Sequence, residues 1–301
     1  MMTDSHSIIT IAAAIITVAV AAGAIAVWLI LLRRRKNRAD HSPVVDLVPI
    51  QFREGYGSGG ELVQIGGRKI ALGKAQDAGS RETQQDSYGI SFEDGRLLCV
   101  VCDGMGGMAK GEESSKLAVR VIMEAMSAQS IGSDISQNIK SALEKASQEV
   151  YSLCRGRGGT TAVVAVLDER GLSYGSVGDS RLYMLRSGVL NQLGQDHIFY
   201  YDLLKTGITP EEAAEHPESE HLTSFIGREQ LTRVNIGEGP IALSKGDMIL
   251  LVTDGVYRSI DSEGMIKALR RGGAKEVAKA ALVLQSPTQD NLTAISLTVL
   301  E

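Results

Sequence analysis

The sequence predicts an α+β fold, with antiparallel sheets covered by helices and one transmembrane helix in front of them. Strand-like and helix-like segments come in blocks, with little of the regular alternation that a parallel sheet requires. Several short strands follow one another through tight turns, which is typical of antiparallel meanders. The chain of 301 residues, 44% of them hydrophobic, can bury a substantial core once its first segment is set aside.

That first segment, Ile8–Leu32, holds 25 residues without a charge, whereas a helix needs about 20 to span a bilayer. Five arginines and lysines lie within residues 33–38, and Asp4 is the one charged side chain before the run. Positive residues stay in the cytoplasm, so we predict a single-pass cell-membrane protein with its N-terminus outside. A cleaved signal peptide is disfavoured, because the run is too long and its positive charges follow it.

Charge and composition separate the next segment from the domain that follows. The net charge is −5, and the +4 of residues 1–38 leaves −9 for the remainder, which argues against a nucleic-acid partner. Residues 33–67 are predicted to be a basic juxtamembrane segment and a linker containing proline and glycine, and residues 68–301 the domain. The basic residues either only fix the topology or also bind anionic headgroups, at about 1 kcal/mol each.

Within the domain, hydrophobic periodicity predicts the elements in order. The first three strands are Lys69–Ala75, Ser87–Phe92 and Leu97–Cys102. Apolar residues at helical spacing then predict two helices that cover a sheet, from Leu117 to Met126 and from Ile135 to Leu153. Further strands are predicted at Thr160–Leu167, Leu172–Val177, Arg181–Leu185, Met248–Val252 and Ala294–Leu300. Helices are predicted between the last two, at Asp261–Arg271 and Ala274–Leu284.

Acidic residues recur at the ends of these predicted strands. Asp103 follows the apolar run Leu97–Cys102, and a charge at the mouth of a buried strand needs a cation or hydrogen-bond donors to offset its desolvation. The other acids in such settings are Asp86, Asp179, Asp254 and Asp290. Together they predict one shared cation site. Ligands that are all oxygens favour Mg²⁺ or Mn²⁺ over zinc.

Six short blocks stand out, and five of them contain these acids. They are Arg81–x–x–x–Gln85–Asp86, Asp103–Gly–Met–Gly–Gly, Gly159–Thr160–Thr161–Ala162, Val177–Gly178–Asp179–Ser180–Arg181, Thr253–Asp254–Gly255–Val256 and Asp290–Asn291–Leu292–Thr293. In order and spacing they resemble the metal-dependent serine/threonine protein phosphatases of type 2C, over about Arg68 to Glu301. The resemblance implies a four-layer αββα sandwich and a water, activated by two divalent metals, that attacks phosphoserine or phosphothreonine.

The same resemblance implies the ligands. Asp103 has the strand-end setting expected of the residue that bridges the two cations. By resemblance, Asp254 and Asp290 complete one site, the Gly104 carbonyl joins the other, and Asp86 lies in the shell of the pair. Mn²⁺ or Mg²⁺ would occupy both sites.

The resemblance implies roles for two further residues, and the sequence departs from the family pattern at two other positions. Asp179 with Asp254 resembles the place of a weaker third cation in bacterial members, and Arg81 resembles the residue that holds the phosphate oxygens. Gln85 stands where the family commonly has a glutamate, so weaker binding of the second metal is expected. Met105 stands where eukaryotic members have a histidine, and methionine cannot act as general acid.

Residues 197–228 resemble a flap beside the active site of bacterial members, with an ordinary helical insertion as the alternative. The implied partners are phosphorylated proteins and a membrane serine/threonine kinase, with the catalytic domain in the cytoplasm. A cysteine phosphatase is excluded, because no arginine lies six residues after any of the three cysteines. A catalytically silent phosphoprotein-binding domain at the membrane stays open, although it has no need of the clustered acids.

Overall fold

A computed structural model describes residues 61–106, 109–128, 134–283 and 288–301. Its strands are β1 (Glu61–Ile65), β2 (Arg68–Asp77), β3 (Asp86–Glu93), β4 (Arg96–Met105), β5 (Gly159–Thr160), β6 (Ala162–Asp168), β7 (Gly171–Val177), β8 (Arg181–Arg186), β9 (Val189–Leu193), β10 (Asn235–Ile236), β11 (Met248–Val252) and β12 (Leu292–Val299). Its helices are α1 (Ala109–Ser127), α2 (Ile135–Cys154), α3 (Phe199–Lys205), α4 (Pro210–Glu215), α5 (Asp254–Tyr257) and α6 (Ser262–Val283).

The strands form two antiparallel sheets, which we call sheet I and sheet II. Sheet I has the order β1-β2-β12-β11-β8-β9, and sheet II has the order β10-β7-β6-β4-β3 with β5 paired to β4. One apolar core lies between the sheets, a second between sheet II and helices α1 and α2, and a third between sheet I and helices α5 and α6. The predicted four-layer sandwich of two antiparallel sheets flanked by helices is confirmed.

Strand β4 explains why the central apolar run lacks alternation. Its side chains at Leu97, Cys99 and Val101 enter the core between the sheets. Those at Leu98, Val100 and Cys102 pack under the helices instead. Because both faces of β4 are covered, every position of the run is apolar, as expected for a strand buried on two sides.

Several elements differ from the sequence predictions. Strand β1 lies inside the segment 33–67 that was predicted to be linker, so the fold begins at least seven residues before Arg68. Strands β9 and β10 and helix α3 were also missed; they are short, and α3 has no buried residue. The two predicted helices near the C-terminus are confirmed: they are the two halves of α6, separated by the non-helical backbone of Gly272 and Gly273.

The predicted transmembrane segment Ile8–Leu32 lies outside the described residues. Within the described ranges, no helix combines the length and apolarity needed to cross a bilayer.

The strand ends that carry the acids meet at one end of the sandwich. In sheet II, Asp86 at the start of β3 pairs directly with Asp103 near the end of β4. In sheet I, Val252 at the end of β11 pairs with Ala294 near the start of β12, which brings Asp254 and Asp290 to the same end. The fold therefore gathers acids that are distant in sequence around one edge.

Candidate functional site

Asp86 is the acid that ties the two sheets together. It is 3% exposed, and its Oδ2 accepts hydrogen bonds from the hydroxyls of Thr253 and Thr293, both at 2.8 Å. Those two donors belong to the sheet I side of the sandwich, so the bonds cross between the layers. The other oxygen, Oδ1, is buried and has no hydrogen-bond partner among the described residues. Burial raises the pKa of Asp86 to about 7, although the two hydroxyls partly oppose the shift.

Asp103 is fixed through its backbone. Its N–H donates to Thr161 Oγ1 at 2.9 Å, and its carbonyl accepts from Thr160 Oγ1 at 2.7 Å. The residue retains some exposed surface, but protein atoms crowd its carboxyl, and this burial is the largest cause of a pKa well above the usual range. The negative charges of Asp86 and Asp254 raise the pKa further. The threonine pair thus positions a carboxyl that binds a proton or a cation readily.

Asp254, the first residue of α5, is the third acid of this group. Burial raises its pKa, while the positive charge of Arg258 lowers it and the negative charge of Asp290 raises it. The negative charge of Asp254 in turn raises the pKa of Asp103. A cation near these carboxyls would offset their repulsion.

Arg81 and Asp290 lie at the exposed rim of the site. The guanidinium Nη2 of Arg81 is 2.7 Å from Asp290 Oδ2, and the two side chains are 56% and 42% exposed. The loop that carries Arg81 is held by Asn291, whose side chain donates to the carbonyls of Ala78 and Thr83. Sequence reasoning gave Asn291 no role beyond its place in a block that resembles the family, whereas the structure shows that it holds the arginine loop.

The Gly104 carbonyl and the Gln85 side chain converge on a small space next to Gly111. A Cβ at Gly111 would lie 2.8 Å from Gln85 Oε1 and 2.9 Å from the Gly104 oxygen. A Cβ at Gly104 would lie 2.2 Å from the Gly111 carbonyl oxygen. Both positions therefore need glycine, because the end of β4 and the first turn of α1 approach so closely. The space that glycine leaves is bordered by two neutral oxygen ligands.

Asp179 is 7% exposed and lies beside Tyr257 and Arg258. The Tyr257 hydroxyl donates to Asp179 Oδ2 at 3.3 Å, and Arg258 Nη2 is 3.6 Å from the same oxygen. Burial is the largest cause of a pKa raised to about 6, and Asp254 adds to it. Arg258 also contacts Asp254, with Nε 3.0 Å from Oδ2. This arginine was missed from the sequence, although its spacing of four from Asp254 is the spacing of helical ion pairs.

The predicted acids and Arg81 therefore meet at one edge, but they do not form a finished metal cluster. In the described part of the chain, no three histidine, cysteine or acidic side chains are arranged to hold a metal ion. The reason is that Arg81 and Arg258 pair with Asp290 and Asp254, and two hydroxyls engage Asp86.

The residues nevertheless fit divalent cations of the Mg²⁺ and Mn²⁺ type. All candidate ligands are oxygens, which those ions prefer. Asp86 Oδ1 is a buried acceptor that lacks a partner, and Gly111 leaves room next to two further oxygens. The raised pKa values of Asp86 and Asp103 have burial as their main cause, and the negative charges of neighbouring acids, Asp254 and Asp290 among them, raise both further. Cations placed among them would offset both.

The histidines and cysteines of the described residues have other contacts. His197 is buried, and its Nδ1 accepts a hydrogen bond from the Gly178 N–H at 3.1 Å. His216 Nδ1 accepts from the Glu218 N–H in the flap. All three cysteines are buried and free, and burial raises the pKa of the Cys99 thiol to about 12. The exclusion of a cysteine nucleophile therefore agrees with the chemistry of the described thiols.

Comparison with known proteins identifies a family whose members are similar to this chain. A family model for protein phosphatase 2C matches residues 76–285. The serine/threonine phosphatase stp of Listeria monocytogenes is 33% identical over 202 residues, which cover 63% of this chain and 79% of the relative. The protein phosphatase PhpP of Streptococcus pneumoniae is 32% identical over 194 residues, covering 61% of this chain and 78% of the relative.

The fold agrees with that assignment. The solved catalytic domain of the serine/threonine protein phosphatase PstP, in complex with two manganese ions, has a TM-score of 0.61 and 27% identity. The match covers 77% of this chain and 99% of the solved one. The chain belongs to the protein phosphatase 2C family.

The raised pKa values predict an unusual dependence of stability on pH. Asp86 has a pKa of about 7 in the folded chain, compared with 3.8 when exposed. Between about pH 6.5 and 8.5 the carboxyls of the unfolded chain are fully ionised. The folded chain still holds a proton on Asp86 at the lower end of this range and loses it as the pH rises. The metal-free protein should therefore become less stable as the pH rises, with a fall in Tm of about 2 °C from Asp86.

Thermal unfolding of the full chain in chelator, followed by circular dichroism across this range, measures the effect. Saturating Mn²⁺ should reduce the slope, because the ionised carboxylates are then paired with cations. His197, whose pKa is lowered by burial, acts in the opposite direction but mainly below about pH 6.5. A metal-free Tm that stays constant or rises across the range would contradict the electrostatic account.

Proposed function

We propose that this chain is a membrane-anchored serine/threonine protein phosphatase that uses two divalent cations, Mn²⁺ or Mg²⁺. The observation that carries the proposal is the pairing of Asp86 with Asp103, two acids with raised pKa values, one of which keeps a buried oxygen without a partner. The family assignment and the names of the relatives support the substrate class, phosphoserine and phosphothreonine in proteins.

In this proposal Asp103 would hold both cations. Asp254 and Asp290 would complete one site, the Gly104 carbonyl would join the other, and Asp86 would belong to the surrounding shell. When bound, such a pair makes water a stronger nucleophile at neutral pH and neutralises the phosphate oxygens. Because Gln85 offers a neutral oxygen in place of a carboxylate, we expect the second site to be the weaker one.

Arg81 is positioned to hold the phosphate of the substrate. Its guanidinium lies at the rim, is more than half exposed, and is directed toward the acids by its pairing with Asp290. A forked guanidinium can donate two parallel hydrogen bonds to phosphate oxygens. The phosphate group would then lie between a fixed cationic donor and the acid cluster.

In this proposal water supplies the proton to the leaving group. Met105 carries no transferable proton, and buried His197 has a lowered pKa that keeps it neutral. The Nδ1 of His197 is also engaged by the Gly178 N–H. The pH–rate profile should therefore lack the fall on its basic side that deprotonation of a histidine general acid would cause.

Replacing Asp103 by asparagine tests the bridging role. Asp103→Asn removes one negative charge from between two cations while the side chain keeps nearly the same size. The loss of water activation and phosphate neutralisation should raise the barrier by about 4 kcal/mol, which is roughly a thousandfold in rate. The measurement is phosphate release from a phosphothreonine peptide at saturating Mn²⁺.

Asp168→Asn is the matched control, because Asp168 pairs with Arg170 at the other end of β6. It makes the same chemical change and should leave the rate within about twofold. Circular dichroism verifies that both variants fold. A folded Asp103→Asn protein with more than a tenth of the wild-type rate would refute the bridging role.

We also propose that Ile8–Leu32 spans the cell membrane once, with the N-terminus outside and the phosphatase domain in the cytoplasm. The support is the length of the uncharged run and the positive charges that follow it at 33–38. The partners would then be cytoplasmic phosphoproteins, among them substrates of a serine/threonine kinase in the same membrane.

Protease protection tests this topology. Protease added to spheroplasts should leave the domain after residue 67 intact, because the membrane shields it. The same protease added after detergent lysis should digest the chain, which shows that the domain is cleavable. Digestion of the domain in intact spheroplasts would place it outside and overturn the assignment.

A further inference from the structure

Arg258 lies among three acids at the place where the family resemblance suggested a third cation. Its Nε is 3.0 Å from Asp254 Oδ2, and its Nη2 is 3.6 Å from Asp179 Oδ2. The same Nη2 is 2.7 Å from Glu220 Oε2 in the flap. One guanidinium therefore contacts both acids of the suggested cation site and a third acid that faces them from residues 197–228.

A metal ion does not fit between Asp179 and Asp254 in this arrangement. A divalent cation bound by both acids would need carboxylate oxygens at about 2.0–2.6 Å. The guanidinium bridges that gap, and the nearby Tyr257 hydroxyl occupies part of the hydrogen-bonding capacity of Asp179. Two cations in the same gap would also repel each other.

We infer that Arg258 is a built-in substitute for the third metal ion, and that it links the flap to the site through Glu220. An arginine stays protonated at every physiological pH, so the charge it supplies does not depend on metal supply. Its planar fork can serve two acids at once, which a lysine cannot do with the same geometry. Arg258 is thus a positioning residue: it holds Asp254 and Asp179 together.

The attachment to the flap follows from the same contacts. Glu220 is an exposed residue of the segment after α4, and the backbone of that segment is joined to α3 by bonds from Tyr200 to Ser219 and from Phe199 to His221. Through Glu220 and Arg258, the position of this segment is therefore coupled to Asp254. The flap prediction, which sequence reasoning left open against an ordinary insertion, gains a specific contact with the site.

Counting bound metal ions tests the inference, which rests on the proposed two-metal function. The full chain in detergent is titrated with Mn²⁺, and free Mn²⁺ is measured by electron paramagnetic resonance, a readout that needs no catalysis. Wild type should bind two ions. Arg258→Asp replaces the cation by a carboxylate next to Asp179 and Asp254, and should bind three.

Two further variants complete the design. Arg258→Gln removes the positive charge without adding a ligand, so it should bind a third ion more weakly than Arg258→Asp. If the aspartate variant does not fold, the glutamine variant provides the test. Arg270→Asp is the matched control, because Arg270 lies next to Leu185 and Gly188 at the far end of β8, and it should bind two ions.

The outcomes separate the inference from the function on which it rests. Three ions on wild type, or two ions on both folded Arg258 variants, would overturn the substitution while leaving the two-metal proposal intact. A third ion on the Arg270→Asp control would mean that any added carboxylate recruits metal, and would also overturn it. Wild type that binds no Mn²⁺ would overturn the proposed function and the inference together.

Discussion

The structure depends on how one buried carboxylate is accommodated between two sheets. Asp86 sits where β3 meets the other sheet, and the hydroxyls of Thr253 and Thr293 satisfy one of its oxygens. Its second oxygen has no partner in the described residues, and a buried unpaired acceptor costs about 1–3 kcal/mol. A proton or a cation near this group would remove that cost, so stability and metal binding are coupled at the same residue.

In this account the negative charge of the clustered acids is offset partly by arginines and partly by bound cations. Five acids at one edge repel one another, and their number exceeds what burial would tolerate without compensation. Arg81 pairs with Asp290 at the rim, while Arg258 pairs with Asp254 and approaches Asp179. Among the described residues, Asp86 and Asp103 have no arginine in an ion pair with them, and we place the metal pair around Asp103, with Asp254, Asp290 and the Gly104 carbonyl as the other ligands.

Local sequence patterns were enough to predict the layers and most of the acids, because period-two and helical spacing report which face is buried. They did not predict β1, because this segment forms a strand through its antiparallel pairing with β2, to which two glycines connect it. They also gave no role to Thr253 and Thr293, which act on an acid more than 160 positions away. Gly111 was missed because its importance comes from the approach of another backbone. Such contacts arise only in the tertiary structure. Among the missed features, only the i,i+4 spacing of Asp254 and Arg258 could have been read from the sequence.

The central claim is that the clustered acids hold divalent cations that drive phosphoester hydrolysis. The most direct measurement is phosphate release from a phosphoserine peptide by the full chain, first stripped with chelator and then given increasing Mn²⁺. The account predicts no release above background from the stripped protein and a rate that rises to saturation with Mn²⁺. Release unaffected by stripping would contradict the role of the metals. Peptide binding without release at saturating Mn²⁺ would instead identify a silent phosphoprotein-binding domain.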